Sequence, residues 1–264
     1  VVSGDAFFSD DGSGLFTATD YTRGPWSSEH QHAGPPAALL ARAIEATLPE
    51  ELAMQVVRLT IEILRPVPIA TLAVATETSH PGRRVRFVEA TLTDETSGKV
   101  CLRARALAIR VADLPVPPVA DTGTSPLPPA QARAFEFPFF AEGNGYHRAM
   151  ETRIARGEWS KGPVAAWMRM RVALVAGEAP SPLQRVVAAA DSGNGVSVTL
   201  DLERFTFMNP DLTVYLHRMP VGEWVCLDAA TTPEQTGIGL ADTRLHDADG
   251  PIGRSDQALI IQQR

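Results

Sequence analysis

The chain of 264 residues has only two cysteines, Cys101 and Cys226, far apart in the sequence. That excludes a disulfide framework and a CxxC metal or redox site, and it makes a reducing cytoplasm the expected compartment. Lysine is nearly absent, and Lys+Arg total 24 against 31 Asp+Glu, for a net charge of −7 with no basic block. Nucleic acid is therefore not expected as a partner. No apolar run approaches the roughly 20 residues of a membrane helix. The opening stretch VVSGDAFFSDDGSG is acidic and broken by glycine, so it does not read as a secretory leader.

Several reaction-specific patterns are also missing. There is no GxSxG elbow, no GxxxxGK[ST] phosphate loop, no dinucleotide-binding glycine pattern and no HExxH. His30-Gln31-His32 lacks an evident third ligand, so no metal is expected. What remains is an ordinary globular composition, 44% hydrophobic and 21% charged, long enough for one large domain or two small ones.

Proline is plentiful and uneven. Seven of the 21 prolines lie between Pro115 and Pro138. Such a segment is stiff and poorly helical, and it reads as a linker over 113–134 between domains 1–112 and 135–264. Each half repeats one order of signals. In the first, Gly34-Pro35-Pro36 opens a helix through AALLARAIEATL, and strands follow at 55–64, 71–78, 83–93 and 100–111. In the second, Ser181-Pro182 opens a helix through LQRVVAAAD, and strands are predicted at 197–207, 212–217, 224–230, 236–246 and 252–262. The expected fold class is α+β, with two antiparallel sheets each wrapped around one helix.

Two polar residues stand at suspected core positions. Asp191 shares the edge of the stripe Leu183, Val186, Val187 and Ala190; it either serves a function or turns to water at the helix end. Gln257 shares a strand face with Leu259 and Ile261, and the pattern fits an inward or an outward amide equally. Asn209 precedes Pro210, which by itself marks a turn or bulge. In the first half Glu45 takes the place of Asp191 and Arg105 that of Gln257, as in a degenerate copy. The helix entry His32-Ala33-Gly34 offers backbone N–H groups to a carbonyl or an anion, with Gly34 allowing close approach. Arg83 and Arg84, with Arg86, form either a phosphate dock or a solvated strand end.

The stretches HQHAGPPAALLARAIE, LRPVP, PGRRVRFVEATLTD, VVAAADSGNG, LTVYLHRMPVGEWVCLDA and GRSDQALII, in this order, resemble the double-hotdog acyl-CoA thioesterases: the bacterial acyl-CoA thioesterase II family and its shorter actinobacterial relatives. The resemblance spans nearly the whole chain and implies a tandem hotdog that hydrolyses acyl-CoA to fatty acid and CoA. It implies a water held by an Asp on the second central helix, a hydroxyl residue on a following strand and a Gln on the last strand. These fall on Asp191, Asn209 and Gln257, and Asn209 departs from the pattern because it has no hydroxyl. Ala258-Leu259 also stand where the family usually has Glu-Gly.

In that reading Asp191 takes the water's proton or attacks directly to form an anhydride. The thioester carbonyl meets N–H groups near Gly34, and arginines at the rim meet the CoA phosphates. No cofactor beyond the CoA of the substrate is implied, and a homodimer or higher homo-oligomer is expected. A non-catalytic acyl-CoA or lipid-binding protein is the alternative, supported by Asn209. A hydratase or dehydratase would need a His and an Asp close together at a helix start, and no Asp lies near His30 or His32 in the sequence.

Overall fold

The computed structural model describes residues 5–117, 126–140 and 143–264. In chain order the first part contains β1 (Ala6–Asp10), β2 (Leu15–Ala18), α1 (Gly34–Ala46), β3 (Met54–Ile63), β4 (Thr71–His80), β5 (Val85–Asp94) and β6 (Lys99–Arg110). Next come β7 (Arg133–Phe135), α2 (Tyr146–Ala149), β8 (Met150–Arg156), β9 (Val164–Met170) and β10 (Ala173–Val175). The chain closes with α3 (Pro182–Ala190), α4 (Gly193–Val196), β11 (Phe205–Met208), β12 (Asp211–Leu216), β13 (Val225–Pro233), β14 (Ile238–Asp247) and β15 (Gly250–Gln263).

The two meanders form one continuous sheet rather than two. Its order is β10-β1-β2-β4-β5-β6-β3-β12-β15-β14-β13-β9-β8-β7, with β11 also on β15. The join is the antiparallel pair β3 and β12, where Leu59 faces Val214 and Ile61 faces Leu212. These residues are buried, so the apolar face runs unbroken across the seam. The first and second parts also meet where β1 pairs in parallel with β10. Of the expected linker, 118–125 lie outside the described residues, and its described portion has no strand before β7.

Both helices are enclosed by the sheet. α1 lies against β3, β4, β5 and β6, and α3 lies against β9, β12 and β13. They also touch each other, and their sequences explain how. GPPAALLARAIEA and PLQRVVAAA carry small residues at the contact, so the backbones come close. A Cβ on Gly34 would run into the backbone carbonyl of Ala188. The ends are linked too. The Ser181 hydroxyl donates to the Glu45 carboxylate at 2.7 Å, and Gln184 Nε2 donates to it at 3.0 Å.

Three details differ from the sequence reading. Residues 197–204 are not strand: Ser197 Oγ donates back to Gly193 O, the chain turns at Asp201, and only Phe205–Met208 pairs. β1, β2 and β8 to β10 precede the helices, and the repeat pattern did not include them. Arg105 is not the counterpart of Gln257. It lies 3.7 Å from Glu89 on the exposed face, while Ala104 and Ala106 take the buried positions of β6.

Gly34→Ala is expected to lower stability by ~1–3 kcal/mol, the usual cost of forcing extra volume into a packed contact. Chemical denaturation beside wild type measures it, and an unchanged midpoint would refute the close helix contact.

Candidate active site

A cavity of about 460 Å³ opens where the C-terminal end of α3, the entry to α1 and the loop before β12 converge. Its wall is mostly apolar. Trp26, Phe137, Phe139, Phe140, Tyr146 and Phe207 line it, six of the chain's seventeen aromatic side chains. Trp26 stacks near Phe139 and meets Phe207 edge-on. One carboxylate, Asp191, lies in this apolar wall.

Asp191 caps the C-terminal end of α3 and is 5% exposed. The helix ends there because the chain breaks into Ser192-Gly193, and the side chain turns inward rather than to water. A buried carboxylate needs donors. Asn209 Nδ2 donates to Asp191 Oδ1 at 2.8 Å, and Gln257 Nε2 approaches the same oxygen at 3.4 Å. Gln257 is buried, so its strand face is the inward one. Its Nε2 also donates to the Asp191 carbonyl, while its Oε1 accepts from the Asn194 N–H at 3.0 Å. Gly193 makes this possible, since a Cβ there would lie 2.8 Å from Gln257 Oε1. The second proton of Asn209 Nδ2 goes to the Asp211 carbonyl, so its amide oxygen is the atom left to accept from a water.

The other carboxylate oxygen meets a residue from the first half. His32 Nδ1 lies 3.1 Å from Asp191 Oδ2. The His32 ring stacks on Tyr146 with centroids 3.7 Å apart and planes 2° apart. The Tyr146 hydroxyl donates to Ala188 O at 2.7 Å and lies 2.8 Å from Ser192 Oγ. Burial pushes the His32 imidazole below its ordinary value, against an upward pull from Asp191, so the ring is neutral at pH 7. Burial also pushes the Tyr146 phenol upward.

The structure thus brings Asp191, Asn209, Gln257 and His32 together. It places the other candidates differently. The first turn of α1 has little to offer a ligand: the Gly34 N–H points at His32 Nδ1 at 3.1 Å, Pro35 and Pro36 have no N–H, and the Ala37 N–H bonds Ala33 O. Gly34 serves the helix contact, and Ala33 lines the cavity in its place. Arg83 and Arg84 are exposed in the turn before β5 and do not line the cavity, whereas Arg65 does. The Asp that the sequence lacks near His32 arrives from α3. Tyr146 and the aromatic wall were not singled out in the sequence, although the run FEFPFF at 135–140 marks part of that wall.

No curated protein matches the chain. Among solved structures, a candidate thioesterase II from Thermobifida fusca superposes with a TM-score of 0.73 at 18% identity, covering 97% of this chain and 95% of that one. A hot dog-fold protein of unknown function from Alicyclobacillus acidocaldarius gives 0.74 at 18%, covering 98% and 97%. An acyl-CoA thioesterase II from Mycobacterium marinum gives 0.66 at 13%, covering 97% and 95%. At these identities the likeness is one of fold. Residues 22–109 match the family described as acyl-CoA thioesterase N-terminal domain, and residues 117–261 match the acyl-CoA thioesterase C-terminal domain. The chain therefore belongs to the acyl-CoA thioesterase family.

Proposed function

We propose that this chain is a double-hotdog enzyme that hydrolyses acyl-CoA thioesters to a free carboxylic acid and CoA. The observation that carries the reading is a single buried carboxylate, Asp191, held by amide donors at the wall of an apolar cavity. The acyl chain occupies the aromatic-lined space. Arg65, exposed at the cavity edge, takes the phosphate-binding role first considered for Arg83 and Arg84. The Asn209 amide oxygen and the Asp191 site hold the attacking water, and Gln257 keeps Asp191 in place. The developing oxyanion faces Ala33, at the N-terminal end of α1.

The Asn209 amide performs part of what a hydroxyl would. Its Nδ2 supplies the donor to Asp191, and its oxygen supplies an acceptor to water.

The His32 and Asp191 contact also supports a second reading, hydration of a 2-enoyl-CoA at the same site. The products separate the two. Hydrolysis releases free thiol, whereas hydration removes the enoyl absorbance and leaves the thioester whole.

Asp191→Asn is expected to reduce thiol release by roughly 10²–10⁴-fold while the protein stays folded and still binds acyl-CoA. The measurement is free thiol from a panel of short to long acyl-CoAs. Binding without turnover by wild type on every chain length would favour the acyl-CoA or lipid-binding alternative. Phe139→Ala removes part of the aromatic wall without touching Asp191. It is expected to raise KM by about 10-fold, the equivalent of ~1.4 kcal/mol, with kcat nearly unchanged. Steady-state kinetics check this, and an unchanged KM would place the acyl chain elsewhere.

A further inference from the structure

The tetrahedral adduct of thioester hydrolysis carries its charge on the former carbonyl oxygen, and that oxygen needs hydrogen-bond donors. The entry to α1 supplies few. The Gly34 N–H goes to His32 Nδ1, Pro35 and Pro36 have none, and the Ala37 N–H is bonded to Ala33 O. Of these first N–H groups, that of Ala33 alone has no partner among the described residues. We infer that Asn194 Nδ2 is the second donor of the oxyanion site, an assignment that rests on the hydrolase reading above.

Asn194 stands in α4, one turn beyond Asp191. It is 8% exposed and lines the same cavity. Its carboxamide makes no hydrogen bond among the described residues, yet neither of its polar atoms is sealed from solvent. The access they keep is therefore to the cavity. An amide this buried is ordinarily paired, so an unpaired one at a cavity wall points to a ligand.

The backbone that carries this side chain is fixed. Gln257 Nε2 donates to the Asp191 carbonyl and Gln257 Oε1 accepts from the Asn194 N–H at 3.0 Å, so one amide locks both residues. Trp159 Nε1 donates to Gly195 O at 2.9 Å, and Ser197 Oγ donates to Gly193 O at 2.9 Å. Asp191 has near-helical φ and ψ of −63° and −13°, and α4 begins two residues later. Side chains three apart on such a turn share a face, with Cβ atoms about 5–6 Å apart. That spacing lets Asp191 hold the water beside the thioester carbon while Asn194 meets its oxygen.

The chemistry selects the nitrogen. The reacting end of an acyl thioester has one strong acceptor, the carbonyl oxygen, and no donor. Nδ2 is the half of the carboxamide that matches it. As the water oxygen bonds to the carbonyl carbon, the π pair of the C=O bond moves onto oxygen, and it returns when the C–S bond breaks. The water's proton passes by way of Asp191 to the leaving sulfur, giving a carboxylic acid and a CoA thiol. Asn194 gives up no proton and no electrons. It donates to the oxygen most strongly while the charge is there, at an apolar wall where such a bond is stronger than in water.

Asn194→Ala tests the assignment, because Gln257 holds the backbone N–H and that bond survives the change. The expected result is a kcat lower by roughly 10²–10³-fold with KM within about threefold of wild type. Asn194→Asp keeps the shape but puts a carboxylate oxygen in place of the donor, and it is expected to lose at least as much. Should one variant fail to fold, the other carries the kinetic test. A readout independent of turnover is the infrared stretch of hexanoyl-CoA, labelled with carbon-13 at the carbonyl and bound to Asp191→Asn. It is expected at a lower wavenumber than in the double variant with Asn194→Ala added, since a donor polarises the C=O bond. An equal stretch in the two proteins, a kcat for Asn194→Ala within about threefold of wild type, or a loss confined to KM would overturn the assignment. If wild type releases no thiol from any acyl-CoA, the hydrolase reading fails, and the stretch still decides whether Asn194 meets the thioester oxygen.

Discussion

Everything at the site depends on the close approach of two antiparallel helices. Gly34 lies against the Ala188 carbonyl, and no larger residue fits there without moving backbone. This contact places the end of each helix beside the start of the other. At one end Glu45 of α1 meets Ser181 and Gln184 of α3. At the other, Asp191 meets His32 at the entry to α1. The enclosing sheet prevents the helices from sliding apart, and its β3 and β12 seam joins the strands that cover both.

The two ends are related in geometry but not in chemistry. Glu45 is held by a hydroxyl and an amide, and burial raises its carboxyl despite them. The inward positions of β6 are Ala104 and Ala106, so no amide corresponding to Gln257 reaches it. Asp191 receives two side-chain amides and faces an imidazole, and it opens to an apolar cavity. In such surroundings polar interactions are stronger than in water, and an unpaired polar group is costly. One end is therefore closed as a helix cap, and the other retains space and polarity suited to a reacting group.

Much of this was legible locally. The proline-led helices and the long meanders follow from short-range patterns, and the structure places α1, α3, β3 to β6 and β12 to β15 close to their predicted spans. The strand predicted at 197–207 begins only at Phe205, because residues 197–204 satisfy polar groups by turns. The Arg105 overlay failed because a shift of one residue inverts the facing of a strand. The aromatic wall was present as a run of letters, but the stretch around it reads as an extended linker.

By itself, the sequence determined the two central helices and most of the strands that follow them, the family resemblance and the absence of a disulfide framework, and it left Asp191 either inward or turned to water. It left Gln257 with two possible faces because both faces of its strand are mixed. Only the tertiary structure decided that Gln257 points inward, that Gly34 serves helix packing, and that His32 and Asp191 are neighbours. Those two residues are far apart along the chain, and no periodic pattern links them. Their meeting is set by the antiparallel packing of α1 and α3, a long-range property that exists only once the sheet has closed around both helices.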